Sequence, residues 1–367
     1  MKALLLGDLC PTAATNPFFE KGDIGTLFTD TLSLFEDIDI GFVNLECALT
    51  HSQNAIRKFG PNLAAAPETA KVLKDIGITV CGLSNNHFFD FGIEGAMDSL
   101  KHLEEAGLMV TGFGQDYTDS RKDLVIENQS EKVAFITVCE HEYSYALEDR
   151  MGCRPWDEFD TIEDIRKAKA ENDRVIVIYH GGKEHCRYPS PRLLRCCRAM
   201  ARAGADVVLC QHSHCIGCYE LYEGCHILYG QGNFHFESPG FNRPDTWNGA
   251  LAVHYDTASH QIDFYPTVNA GNGITLAKGE EKQEMLRSFR QRNQELADGT
   301  WRQGWHAFCE ANREQYCKAI GKACREDSTQ RDNAVFGHYL DCEAHTDVWR
   351  ELFPTWNQTN EKQEDLP

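Results

Sequence analysis

The apolar positions of this chain fall into short runs that end abruptly in polar residues, and helical periodicities separate them. Ala3 to Leu6, Ile38 to Val43, Ile76 to Cys81, Val133 to Val138, Val175 to Tyr179, Asp206 to Cys210 and His226 to Tyr229 have the length and the Val, Ile and Phe content of buried strands. The pattern predicts helices over Asp23 to Phe35, Thr69 to Ile76, Ile93 to Ala106, Thr161 to Asn172 and Ser190 to Ala203, the last closed by Gly204. Leu124 to Glu127 with Val133 to Val138, and Ala250 to Tyr255 with Gln261 to Val268, read as hairpins. From Glu280 onward only helical spacing remains, over Met285 to Leu296, Trp301 to Tyr316 and Phe336 to Phe353. Strands alternating with helices make this an α/β protein. The expected domains are 1–275, a helical C-terminal extension at 276–356 packed on the core through its aromatic face, and a polar tail at 357–367.

Composition narrows the partners. Fifty-six acidic against 36 basic residues give a formal charge of −20, which argues against nucleic acid or an anionic membrane. An anionic substrate, small or polymeric, would then need a local positive centre. No export signal and no apolar run of about 18 residues is evident, so the expectation is a cytoplasmic chain without a membrane anchor. Sixteen cysteines lie mostly within apolar runs and read as buried thiols. Cys215 and Cys218 with Cys225 resemble half of a zinc ribbon, a weaker alternative because no second Cys-x-x-Cys follows.

The chemistry sits where the apolar runs stop. Asp8, Glu46, Asn86 with His87, His180, and His212 with His214 each follow a predicted strand. If those strands share a direction, their ends meet along one edge, and two carboxylates, an amide and several imidazoles converge. That set suits one or two divalent ions such as Mn, Zn or Fe, with Glu46 as the bridging carboxylate, water activated between them, and His87 as the proton donor. Blander readings exist: a turn capped by Asn86 and Asp90, and structural roles for single histidines among fifteen. The Cys139-Glu140-His141-Glu142 run could supply ligands or merely be a polar loop. Arg57 and Lys58, in a long loop between Leu49 and Pro67, are either a substrate clamp or solvated charges.

These residues resemble, in order, the poly-gamma-glutamate capsule biosynthesis proteins of the CapA/PgsA type, a branch of the calcineurin-like metallophosphoesterases. The matching pieces are Gly7-Asp8, Asn44-Leu45-Glu46, Leu83 to His87 with Asp90 and Gly92, His180 to Glu184, Gln211 to His214, and Gly232-Asn233-Phe234. The resemblance implies a layered αββα metallophosphoesterase-like sandwich with the C-terminal helices added to it. It implies Asp8, Glu46, Asn86, His180, His212 and His214 as metal ligands and His87 beside the substrate. Glu184 and Asp90 are then assigned to orienting their neighbours, and Lys58, Arg57 and Asn233 to the substrate. The implied reaction is metal-dependent hydrolysis of a phosphoester or a glutamyl-type amide. Cys10 stands where the wider superfamily has a histidine, and Glu46 where it has an aspartate. The first departure motivates an alternative, a non-catalytic accessory protein of polymer synthesis. Family members are often membrane-anchored and act outside the cytoplasmic membrane, whereas this chain reads as neither. The C-terminal extension is expected to cover the cleft or to mediate self-association as a homo-oligomer.

Overall fold

The computed structural model describes residues 1–237 and 249–354, so the expected tail at 357–367 lies outside the described residues. The chain opens the first sheet with β1 (Lys2–Leu9), β2 (Ile40–Leu45), β3 (Val80–Gly82) and β4 (Met109–Thr111). It crosses over to build the second with β5 (Leu124–Glu127), β6 (Lys132–Cys139), β7 (Arg174–His180), β8 (Val207–Gln211), β9 (Tyr219–Tyr222) and β10 (Cys225–Leu228). It then returns with β11 (Asn233–His235), β12 (Gly249–Asp256), β13 (Gln261–Ala270) and β14 (Gly273–Leu276). Among the described residues the first sheet has eight strands in the order β14-β13-β12-β1-β2-β3-β4, with β11 also on β1, and the second has six in the order β9-β10-β8-β7-β6-β5. β1 to β4 run parallel to one another, as do β6, β7, β8 and β10. Parallel strands bury both faces, which is why β7 is an unbroken Val-Ile run at the middle of its sheet.

The inner faces meet in one apolar layer containing Leu5, Phe42, Val80, Phe135, Ile176 and Leu209, where Phe42 stacks on Phe135 at 5.6 Å. Helices cover both outer faces. α1 (Asn16–Lys21), α2 (Ile24–Phe28), α3 (Thr69–Asp75) and α4 (Gly92–Glu105) lie on the first sheet. α5 (Glu158–Glu171) and α6 (Pro191–Ala203) lie on the second, and α6 ends on Gly204 in the left-handed conformation. This is an αββα sandwich, and α7 (Gly279–Asp298), α8 (Trp301–Ala323), α9 (Gln330–Asp341) and α10 (Glu343–Leu352) extend the second outer layer through Trp301, Trp305, Tyr316, Tyr339 and Val348.

Several local expectations need correction. The helix expected over Asp23 to Phe35 stops at Phe28, because Thr29 takes a positive φ of 39° and Asp30 is drawn to the Leu276 amide, leaving a 3₁₀ segment to Phe35. The strand expected from Ile76 begins only at Val80, since Ile76 still caps α3 and Gly77 turns the chain at φ 105°. The stretch from Phe336 to Phe353 is two helices broken at extended Cys342. α1, β9 and β14 were not anticipated, their apolar content being too short or too mixed to show a period.

Candidate metal centre

Common strand direction does the gathering. Asp8 ends β1, Asn44 and Glu46 end β2, Asn85 to His87 follow β3, Glu140 and Glu142 follow β6, His180 ends β7, and His212 and His214 follow β8. All of these side chains are buried or nearly so. Asn44 Nδ2 donates to Asp8 Oδ1 at 2.7 Å and lies 3.1 Å from His180 Nδ1. The other nitrogen of His180 lies 3.0 Å from Asn86 Oδ1 and 3.4 Å from Glu46 Oε1. Asp8 Oδ2 accepts the His212 backbone N–H at 2.9 Å, and His214 Nδ1 lies 2.8 Å from Asn233 Oδ1. His212 and His214 take positive φ, 78° and 56°, a sparsely populated conformation retained where surrounding structure enforces it.

The donors fall into two sets with a common member. One atom each of Glu46, His180 and His212 lie within 4.8 Å of one another, and so do atoms of Asp8, Glu46 and His214. Both carboxylate oxygens of Glu46 are fully buried without a hydrogen bond, as is His212 Nδ1, so a cation would supply what the protein withholds. Electrostatics agree. Burial opposes a charge on His180, yet Glu46 and Asp8 outweigh it and push the imidazole up to about 10. Burial likewise disfavours the Asp8 carboxylate, but His180, His214 and the Asn44 amide keep it below its ordinary value. The pocket thus holds positive charge avidly, and the residues present fit divalent ions.

Asn86 and His87 do not lie on an extended strand. Residues 85–90 turn, so both line a chamber of about 230 Å³ together with Lys58, Glu142, Lys183, Glu184, His338 and His345. The turn is capped by Asn85, whose Oδ1 accepts the amides of His87 and Phe88 at 3.1 and 2.8 Å, not by Asn86. Asp90 instead accepts from the Leu63 amide and pairs with His87 Nδ1 at 2.7 Å and with Lys58. Burial first, then Lys58, hold His87 below its ordinary value. Lys58 is therefore no free clamp: its ammonium is almost fully buried between Asp90, the Asn86 carbonyl and His87. Arg57 and Arg331 are exposed on a groove that adjoins the chamber, where half-buried Arg150 donates to the Tyr143 and Tyr145 carbonyls. Glu184, its side chain 43% exposed, reaches His214 at 3.9 Å.

Sequence reasoning left Glu142 undecided and, though it expected the C-terminal extension to cover the cleft or to mediate self-association, named no site residue in it. Glu142 accepts from Asn86 Nδ2 at 2.8 Å and lies 3.6 Å from His212 Nε2. α9 and α10 roof the chamber with His338, Tyr339 and His345. Only a carboxylate following β6, as others follow β1 and β2, could have flagged the first. Cys10 turns into the core, where burial and the neighbouring Cys47 thiol push its own thiol well up, and it joins neither donor set. Cys215, Cys218 and Cys225 each face a different backbone carbonyl, those of Cys186, Arg187 and His226, so the half zinc ribbon is not formed. All sixteen cysteines are free. Among the described residues no helix is long and apolar enough to cross a membrane.

Comparison with known proteins bears on the same residues. The chain is 29% identical over 265 residues to the PGA biosynthesis protein CapA of Bacillus subtilis (strain 168), covering 70% of this chain and 67% of that one. It is 26% identical over 234 residues to a "probable polyglutamine synthesis accessory protein" of Mycobacterium tuberculosis, covering 60% of this chain and 62% of that one, so it spans about two thirds of either relative. The solved 5'-nucleotidase of Candida albicans SC5314 aligns over 95% of this chain and 58% of its own at 8% identity, with a TM-score of 0.40. The family model described as bacterial capsule synthesis protein PGA_cap matches residues 2–238, the span that carries Asp8 through Asn233, and the chain belongs to that family.

Proposed function

We propose that this chain is a metal-dependent hydrolase whose centre is organised by Glu46. The observation that carries the reading is the sharing of Glu46 between two donor sets, with both its oxygens buried and free of hydrogen bonds. His180 and His212 would hold one ion with it, Asp8 and His214 the other, and Asn86 Oδ1 stands next to the first set. Bound divalent ions, Mn, Zn or Fe, would supply a nucleophilic water at neutral pH and stabilise charge on the departing oxygen or nitrogen. Asp90 fixes His87 through Nδ1 and leaves the rest of the ring to the chamber. A histidine held below its ordinary value is, once protonated, the better donor to a leaving group.

The arginines of the adjoining groove suit an anionic chain, and the relatives named for PGA biosynthesis and polyglutamine synthesis bring a glutamyl-type amide forward over a phosphoester. Sixteen free thiols suit a reducing compartment, the cytoplasm. Purified protein reconstituted with manganese is expected to turn over one of these two substrate classes, and His180→Ala and His212→Ala to abolish that turnover. A second reading, an accessory role in polymer synthesis, draws on the burial of Cys10 away from the cleft and on the mycobacterial relative's name. No turnover at saturating manganese, with stoichiometric co-purification of a ligase, would replace the first reading with the second.

A further inference from the structure

A third group of metal-ligating side chains lies on the seam between the family-matched core and the added helices. Glu142, Cys342 and His345 are all buried and place one donor atom each within 4.8 Å of the other two. Glu142 belongs to the loop after β6, Cys342 is the single residue between α9 and α10, and His345 lies in the first turn of α10. Cys342 Sγ is 3.2 Å from Glu142 Oε1, and His338 Nε2, from the last turn of α9, is 4.0 Å from the same oxygen. His345 is gripped from behind. Its Nδ1 lies 2.6 Å from the Tyr316 hydroxyl, and its ring stacks on Tyr339 at 4.1 Å. Imidazoles that bind metals are characteristically oriented through their second nitrogen in this way.

A thiol donating to a carboxylate would explain the Cys342 contact by itself. It does not explain why two imidazoles from the same helix corner also converge on Glu142. One carboxylate oxygen, one sulfur and one or two imidazole nitrogens form a donor set for a borderline cation of the zinc kind. We propose that Glu142, Cys342 and His345 form a third cation site, with His338 as an available fourth ligand, that pins the α9–α10 corner to the core and fixes the roof of the chamber. Cys342 would bind as thiolate, releasing its proton to solvent. The site shares no ligand with the donor sets around Glu46, although Glu142 also meets Asn86 and His212 of that centre, and both ligands from the roof lie beyond the residues matched by the family.

The thiolate makes the test selective, because neither donor set around Glu46 contains sulfur. Full-length reduced protein titrated with cobalt(II) should develop a near-ultraviolet sulfur-to-cobalt charge-transfer band. The band should persist in Glu46→Gln and vanish in Cys342→Ser. His345→Gln, which keeps the thiol, should need at least tenfold more cobalt to reach it, and thermal melts would establish that each variant is folded. Wild-type protein that binds cobalt without the band, or a band that survives Cys342→Ser or titrates unchanged in His345→Gln, overturns the inference. Cobalt bound without the band leaves the Glu46 centre standing, whereas the band alone, with no further cobalt lost in Glu46→Gln, counts against that centre and not against this site.

Discussion

The strand-end donors behind Asn86 and Glu142, a floor beneath the chamber, and the helical roof over it are built on opposite plans. The floor takes Asp8, Glu46, His180 and His212 from two sheets locked by a shared apolar layer, so its side chains are fixed by packing that has nothing to do with chemistry. The roof is attached along one face. α9 buries only Tyr339, and the corner it makes with α10 is fastened by polar contacts: Glu343 with His141 at 2.6 Å, Asp347 with Arg192 at 2.9 Å, and the Ala344 amide donating to Glu140 at 3.0 Å. A reactive centre needs the first kind of support, and a cover that decides what enters can use the second.

Three substitutions separate the two plans. The largest effect is expected from Glu46→Gln in the floor, which removes the shared carboxylate. Metal affinity by calorimetry should fall by more than the ~100-fold typical of losing a partner behind a ligand, with little change in fold. The same variant should flatten a pH dependence of the metal-free protein. His180 is raised in the folded state to about 10, so its stabilising charge is fully present below about 6.5 and lost as pH rises towards 10. Melting temperature should decline across that window in wild type and less in Glu46→Gln.

Next comes Arg192→Met, at the root of the roof. It leaves Glu140 and Asp347 buried without their cation, and chemical denaturation should register a loss of about 3–5 kcal/mol. Metal affinity at the Glu46 centre should stay unchanged, and a parallel loss would mean that floor and roof are one unit. Lys58→Met is the mildest. Lys58 helps to hold His87 down, so its removal should raise the His87 value and move the basic limb of the rate profile to higher pH. The loss in rate should stay well inside the ~10²–10⁴ that a general acid supplies. An unmoved limb would remove His87 from proton transfer.

The floor was legible in the sequence because its cause is local: an apolar run followed by a polar residue is visible without coordinates, and parallel direction does the rest. Asp8, Glu46, Asn86, His180, His212 and His214 were found in that way, and the structure brings them together. Lys58 was misjudged because its partner Asp90 is far along the chain, and no local pattern announces an internal ion pair. The break at Cys342 was hidden for a similar reason. Helical periodicity continues across it, while the contacts that stop the helix come from Glu140 and Glu142, some two hundred residues earlier. Asn85 went unrecognised as the cap because Asn86, beside it, has the same side chain.

The bond from the His212 amide to Asp8 Oδ2 ties the β8 loop to β1 with protein atoms alone. Such a socket keeps its shape when emptied. Chelation should silence the protein without unravelling it, and ions could be exchanged for others many times over by the same folded molecule.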